Sequence, residues 1–299
     1  MEPGPERDDD IGSWVRGLGL DGLVDLHLHF LPERMLTKVW AYFDGIAERT
    51  GYSWPVWYRR TESERLALLE SFGVLRFAPL VYPHKPDMAE WLNGWALEFA
   101  ERVPAAVPTA TFYPEPSAAS YVDKALRAGV RCFKAHVQVG AYDPRGELLE
   151  PVWGALAEAG VPVVVHAGNG PERGPFTGLD VFGEVLNRHP RLVAVLAHAG
   201  MPDYEAALDL VARYPRVYLD TTMVGVPFTE KMQRLPADWA ARLATIADRV
   251  ALGTDFPNIP YPYATQLRAI AGWAAADDRL GDGFLRAVLH DTPAKLLNV

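Results

Sequence analysis

The chain has 299 residues, of which 49% are hydrophobic and 22% charged, with a formal net charge of −9. This composition is typical of a globular protein with an ample core, and the negative charge argues against nucleic acid or an anionic membrane as a partner. No apolar run approaches the roughly 20 residues that span a bilayer. The single cysteine, Cys132, excludes an intrachain disulfide and fits a reducing compartment, so we expect a cytoplasmic protein.

The first 20 residues are predicted to form a flexible lead-in to a single domain over residues 21–299. The opening stretch is acidic and rich in turn-forming residues, and it lacks the apolar core of a signal peptide. A domain of this length fits a parallel barrel, which typically needs about 250 residues.

Eight short apolar runs are predicted to be β-strands, and most are followed by a helical pattern. They lie near residues 23–27, 74–81, 106–112, 130–137, 161–166, 192–198, 216–221 and 249–255. Several helix ends are marked: Thr61 and Glu64 form a capping box, Pro202 opens a helix, and Gly160 ends another. Strands that alternate with helices pair in parallel through right-handed crossovers, so the eight units predict an α/β fold, a TIM (β/α)8 barrel.

Two connections depart from this β/α alternation. The first, at about residues 31–60, contains seven aromatic residues and is predicted to be an insertion after the first strand that serves as a lid or binding loop. The second is an aromatic turn at residues 257–263, after the eighth strand. The aromatic insertion also makes a homodimer a reasonable expectation.

Four histidines and one aspartate lie at the ends of predicted strands. His27 and His29 are two residues apart, so both side chains point to one face of an extended first strand. His166, His198 and Asp255 end the fifth, sixth and eighth strands. Because the carboxyl ends of barrel strands meet at one mouth, the pattern predicts a divalent-metal site with three imidazoles and one carboxylate, a ligand set suited to Zn²⁺ or Mn²⁺.

Within this predicted site, His27, His29, His166 and Asp255 are the metal ligands. His198 lies near the metal, where a histidine can polarise the substrate or transfer a proton at neutral pH. Asp255 has a second predicted role, since a carboxylate beside the metal can accept a proton from water. The alternative interpretation is that these groups are separate polar caps at strand ends.

Four of these segments resemble the amidohydrolase superfamily, and more closely the amidohydrolase-2 branch that includes aminocarboxymuconate-semialdehyde decarboxylase. The motifs are His27-Leu-His29-Phe-Leu-Pro32, Val164-Val-His166-Ala-Gly168, Ala197-His198-Ala-Gly-Met-Pro202 and Leu252-Gly-Thr-Asp255-Phe-Pro257. The resemblance implies the same four ligands, with His198 as the catalytic histidine. One divalent metal is expected, zinc in the first place and manganese as the alternative, although some lactonase relatives are thought to work without metal.

Lys134 on the fourth strand has two interpretations. In binuclear members of the superfamily a strand-four lysine becomes carboxylated and bridges two metals, but the motifs here resemble the mononuclear branch. We therefore assign Lys134 and His136 to substrate binding or structure. Six residues are predicted to contact the substrate: Lys134, His136, Trp57, Arg59, Asn169 and Asn258.

The leading functional prediction is hydrolysis of an amide, ester or lactone bond of a small molecule by water that the metal activates. The alternative is non-oxidative decarboxylation of an unsaturated or aromatic carboxylic acid, which a cationic group facing the metal, such as Arg59, would favour. A third possibility, of another class, is a catalytically silent barrel that binds a small molecule. The complete set of strand-end groups argues against this third possibility.

Overall fold

The computed structural model describes residues 4–299, which divide into two compact units. The first unit comprises the described part of Met1–Phe77 together with Thr221–Lys295, and the second comprises Ala78–Asp220 with Leu296–Val299. Residues 4–299 contain eight strands: β1 Leu23–Leu28, β2 Val74–Pro79, β3 Thr109–Thr111, β4 Cys132–His136, β5 Val163–His166, β6 Ala194–Leu196, β7 Val217–Asp220 and β8 Val250–Ala251. Each strand coincides with one of the predicted apolar runs.

In the first unit, β1 is fully buried along its length and pairs with β2. The Leu26 N–H donates to the Leu252 carbonyl at 2.8 Å, which places β1 beside the segment that continues β8. The predicted capping box is present, because Thr61 and Glu64 exchange backbone and side-chain hydrogen bonds. The helices of this unit are Asp8–Asp10, Ile11–Gly17, Glu33–Asp44, Ala47–Thr50, Glu62–Ser71, Thr229–Lys231, Trp239–Leu243, Ala247–Arg249, Tyr263–Ala276, Gly281–Arg286 and Ala287–Asp291.

The N-terminal segment differs from the flexible lead-in predicted for residues 1–20. Residues 8–17 are helical, and Ile11, Trp14 and Val15 are buried. Their spacing of three and four residues puts these apolar side chains on one face of a helix. The Asp8 carboxylate accepts hydrogen bonds from the Ala264 N–H and the Tyr58 hydroxyl. Residues 1–3 of the predicted lead-in lie outside the described residues.

The aromatic insertion is more ordered than a long loop. It contains the helices Glu33–Asp44 and Ala47–Thr50, followed by an irregular stretch up to the helix that begins at Glu62. Trp54 and Tyr58 of the irregular stretch are buried, whereas Trp57 between them is 56% exposed. Burial of Trp54 and Tyr58 fixes the path of the insertion, because each large ring removes much apolar area from water.

In the second unit, β3, β4, β5, β6 and β7 form one parallel array in sequence order. The register pairs His136 of β4 with His166 of β5. The helices of this unit are Ala89–Arg102, Ala118–Arg127, Val137–Gly140, Glu147–Leu149, Glu150–Ala159, Leu179–Arg188, Ala197–Gly200 and Tyr204–Arg213. A predicted helix end is found at Gly160, which follows Glu150–Ala159 in the left-handed conformation.

The chain closes with the helix Thr292–Leu297. None of the helices within residues 4–299 is both long enough and apolar enough to cross a bilayer. The single domain over residues 21–299 stays a prediction.

Candidate metal centre

The first unit brings together three of the predicted metal ligands, His27, His29 and Asp255. Asp255 Oδ1 lies 2.8 Å from His29 Nε2 and 3.6 Å from His27 Nε2. Within residues 4–299 this is the one group of three or more potential ligand atoms that all lie within 4.8 Å of one another. Both imidazoles are buried, whereas the Asp255 side chain is 15% exposed.

The spacing of these donor atoms suits a metal ion. Zinc bound to nitrogen and oxygen at about 2.0–2.1 Å in a tetrahedron separates neighbouring donors by about 3.3 Å. The two distances to Asp255 lie on either side of this value. Two neutral imidazoles and one carboxylate also provide donors that zinc and manganese accept, so the residues present fit the predicted metal.

Thr222 supports His27 from the side away from the candidate metal position. Its Oγ1 lies 3.1 Å from His27 Nδ1. For Nε2 to present its lone pair to a metal, Nδ1 must carry the proton and donate to the threonine hydroxyl. Such a partner fixes both the tautomer and the ring orientation of a metal-ligating histidine.

Asp25 is a buried carboxylate that the sequence interpretation did not include. It accepts hydrogen bonds from the His27 N–H at 3.1 Å, the Thr254 hydroxyl at 2.6 Å and the Tyr263 hydroxyl at 2.9 Å. Burial and the Asp25 charge raise the pKa of Tyr263 well above its usual value, so this phenol stays a donor. The signal in the sequence is the alternation of Asp25 with His27 and His29, which places all three on one face of β1.

The backbone at Asp255 adopts a conformation that is uncommon for residues other than glycine. Its φ is +65°, in the left-handed region that aspartate visits more readily than most residues. The Asp255 N–H donates to the His27 carbonyl at 2.8 Å, and the Asn258 N–H donates to the Asp255 carbonyl at 2.9 Å. Asp255 therefore lies on a tight turn that is hydrogen-bonded to the end of β1.

The side-chain oxygen and the backbone carbonyl of Asn258 have protein partners, and its role in orienting substrate stays a prediction. The side-chain Oδ1 accepts from the Trp40 indole N–H at 3.1 Å, and the backbone carbonyl accepts from the Trp54 indole N–H at 2.7 Å. Asn258 is also buried. These contacts link the aromatic insertion to the turn that carries Asp255.

The second unit contains a row of three histidines at the ends of β4, β5 and β6. The rings of His136 and His166 are stacked with centroids 4.2 Å apart and an interplanar angle of 12°. The His198 ring meets His166 at 4.8 Å and 67°. On the other side, Tyr82 lies 4.9 Å from His136.

Hydrogen bonds orient two members of this row. His166 Nε2 lies 2.8 Å from the Gly170 carbonyl oxygen, and since a carbonyl only accepts, Nε2 is the protonated nitrogen in this contact. His198 is buried and has a φ of +56°, and its backbone N–H donates to Asp220 Oδ1 at 2.8 Å. The roles predicted for His166 as a ligand and His198 as the catalytic histidine stay predictions.

The other predicted substrate contacts have varied surroundings. Lys134 is fully buried on β4. The Asn169 amide nitrogen donates to Asp203 at 2.7 Å, and its oxygen accepts from Thr177 at 2.8 Å. Arg59 forms an ion pair with Asp44 and donates to the Trp40 carbonyl. The substrate roles of these residues, and of the exposed Trp57, stay predictions.

Comparisons with known proteins agree with this architecture. The sequence matches the model of a family described as Amidohydrolase over residues 24–299. A comparison with curated proteins gives no match. Among solved structures, an uncharacterised TIM-barrel protein from Bordetella bronchiseptica is 19% identical, with a TM-score of 0.71 over 93% of this chain and 98% of its own.

Two further structures are enzymes by name. A 5-carboxyvanillate decarboxylase from Novosphingobium aromaticivorans, solved with manganese and 4-hydroxy-3-methoxy-5-nitrobenzoic acid, is 14% identical, with a TM-score of 0.60 over 93% of this chain and 96% of its own. A probable 2-pyrone-4,6-dicarboxylic acid hydrolase from Acinetobacter baumannii, with citric acid bound, is 12% identical, with a TM-score of 0.60 over 93% and 100%. These likenesses show the fold and confirm the predicted TIM barrel.

Proposed function

Because the chain belongs to the amidohydrolase family, we propose that it is a metal-dependent hydrolase of an amide, ester or lactone bond in a small molecule. The observation that carries the proposal is the convergence of His27, His29 and Asp255 on one point. A fold shared by many enzymes does not identify a reaction, whereas these side chains define the chemistry of the site.

His27, His29 and Asp255 would hold the metal, and the sequence motifs add His166 as a fourth ligand. Zinc is the proposed ion, with manganese as the alternative that the likeness to a manganese-containing decarboxylase supports. When bound, such an ion supplies Lewis acidity, which polarises a carbonyl group and makes water a nucleophile near neutral pH.

Two residues of this chain are proposed to move protons. Asp255 accepts the proton from the attacking water, and its partial exposure leaves the carboxylate accessible to solvent. His198 polarises the substrate carbonyl or protonates the leaving group, a role suited to a side chain whose pKa ordinarily lies near neutrality.

The surroundings of Arg59 support hydrolysis. A cationic group facing the metal would favour a decarboxylase, and Arg59 and Arg60 were the candidates from the insertion. The Arg59 guanidinium is instead paired with Asp44 and lies 5.8 Å from the centroid of the Trp40 ring. An arginine engaged in this way supports a neutral substrate such as a lactone, an ester or an amide.

Decarboxylation of an aromatic carboxylic acid is the second candidate. It is supported by the likeness to 5-carboxyvanillate decarboxylase over nearly the whole chain. Both reactions use the same proposed ligands, so the product separates them: carbon dioxide from a carboxylic acid, or a new acid with its alcohol or amine from an ester or amide.

Metal content per chain, measured on protein purified without chelator, tests the proposal. We expect about one equivalent of zinc or manganese, lost in His27→Ala and kept in His290→Ala, whose histidine pairs with Asp291 instead. Chelation should abolish turnover of a panel of lactones, esters and amides, and added metal should restore it.

Other results would change the proposal in defined ways. About two equivalents per chain would make Lys134 a bridging ligand, and release of carbon dioxide from aromatic acids without hydrolysis would establish the decarboxylase. Protein that holds no metal and gains no activity with added zinc or manganese would overturn the metal-dependent mechanism.

A further inference from the structure

The aromatic insertion holds the turn that carries the Asp255 carboxylate. We propose that Trp40, Trp54 and Asn258 are positioning residues for Asp255, so that the insertion sets the affinity of the metal site. The inference rests on the proposed function for the identity of the metal ligand, but its contacts all lie within the first unit.

The turn needs external support because its first residue has an unfavourable backbone conformation. Asp255 has a φ of +65°, and residues held in sparsely populated conformations persist only where the surrounding structure fixes them. Inside the turn, the Asn258 N–H donates to the Asp255 carbonyl at 2.9 Å. Contacts that fix the side chain and the carbonyl of Asn258 therefore also restrict the position of Asp255.

Three donors of the insertion act on this end of the turn. The Trp40 indole donates to Asn258 Oδ1 at 3.1 Å, and the Trp54 indole donates to the Asn258 carbonyl at 2.7 Å. The backbone N–H of Trp57 donates to the Ile259 carbonyl at 2.8 Å. These three hydrogen bonds join residues 40–57 to two consecutive residues of the turn.

The Trp54 donor is itself held in place by aromatic packing. Its ring stacks on Phe43 at 5.0 Å and 22°, and it meets Phe228 edge-on at 4.9 Å. Trp54 is 6% exposed and Asn258 is 3% exposed. Because the Trp54 ring is fixed and the Asn258 carbonyl is buried, the hydrogen bond between them has a well-defined geometry. A support for a metal ligand requires such a geometry.

The experiment compares indole N–H groups that contact the turn with one that does not. Trp54→Phe and Trp40→Phe remove a donor and keep an aromatic ring, while Trp57→Phe removes an indole that is 56% exposed. Metal affinity is measured by competition with a chelator for zinc. Hydrogen exchange of the Asp255 and Asn258 amides is measured on the metal-free protein, and circular dichroism checks that each variant is folded.

We expect Trp54→Phe to weaken zinc binding about tenfold, the lower end of the range for lost supporting contacts, and Trp57→Phe to leave the affinity unchanged. Exchange at Asp255 and Asn258 should be faster in Trp54→Phe even without metal. Trp40→Phe and Asn258→Ala should show similar losses that do not add when combined, because both break the same hydrogen bond.

Two results would overturn the inference. Unchanged zinc affinity and unchanged amide exchange in folded Trp54→Phe and Trp40→Phe would mean that the turn holds Asp255 by itself. Equal effects in all three tryptophan variants would indicate a general loosening of the insertion. Wild-type protein that binds no zinc would refute the proposed function, whereas the exchange comparison would still test the support of the turn.

Discussion

The histidine pair around Asp255 and the histidine row of β4, β5 and β6 consist of the same side chain in different surroundings. In the pair, Nε2 of His27 and Nε2 of His29 both face one carboxylate oxygen, at 3.6 and 2.8 Å. In the row, His136, His166 and His198 meet through their ring faces and edges. Ring contacts within the row therefore do not bear on the proposed ligand role of His166, whereas the convergence of donor atoms in the pair supports those of His27 and His29.

The supporting contacts are alike at the backbone and differ at the rings. Asp25 and Thr222 contact His27 directly, one through its backbone N–H and the other through its ring. In the row, Asp220 accepts from the backbone N–H of His198, and the His166 ring contacts a backbone carbonyl. The hydroxyl beside Nδ1 fixes the orientation of the His27 ring, as a histidine proposed to bind a metal requires.

The largest effect on the pair is expected from Asp25→Ala. Removal of this carboxylate leaves the His27 N–H and the Thr254 and Tyr263 hydroxyls without their acceptor. Since each of the three unpaired buried donors costs about 1–3 kcal/mol, the free energy of unfolding should fall by at least about 3 kcal/mol in urea titrations. Asp278→Ala, at an exposed position, is the control and should match the wild type. Equal stability of both variants would contradict a structural role for Asp25.

A smaller and more specific effect is expected from Thr222→Val. Valine keeps the shape of threonine but removes the partner of His27 Nδ1, so zinc affinity should fall about tenfold. Thr221→Val is a matched control, because its hydroxyl donates to the Gly253 carbonyl rather than to a histidine. Calorimetric zinc titration should therefore separate two variants that each lose one buried hydroxyl. Equal affinities would show that the His27 ring needs no fixed partner.

The sequence was sufficient for the strands and for the convergence of His27, His29 and Asp255. Each strand is an apolar run with clear boundaries, and the spacing of His27 and His29 places both on one face without knowledge of the rest of the chain. The N-terminal helix could also be predicted, since Ile11, Trp14 and Val15 have helical spacing. The acidic, proline-containing start of the chain outweighed that signal.

The supporting contacts could not be predicted, because they join distant parts of the chain. Asp25 meets Thr254 and Tyr263 across 229 and 238 residues, and Asn258 meets Trp40 across 218 residues. From the sequence alone, Asn258 after a strand-end motif suits a substrate contact as well as a structural one. The Trp40 indole that donates to it is known only from the structure. The stacking of His136 on His166 similarly depends on the register between β4 and β5, which single-strand patterns do not specify.

The smallest effect is expected in the row, from His136→Phe. Phenylalanine keeps an aromatic face for the stacking with His166 and Tyr82, and it removes the acceptor of the Val139 N–H. Stability should change by about 1 kcal/mol, the usual contribution of one hydrogen bond, and metal content should equal that of the wild type. Loss of metal would instead make His136 a ligand.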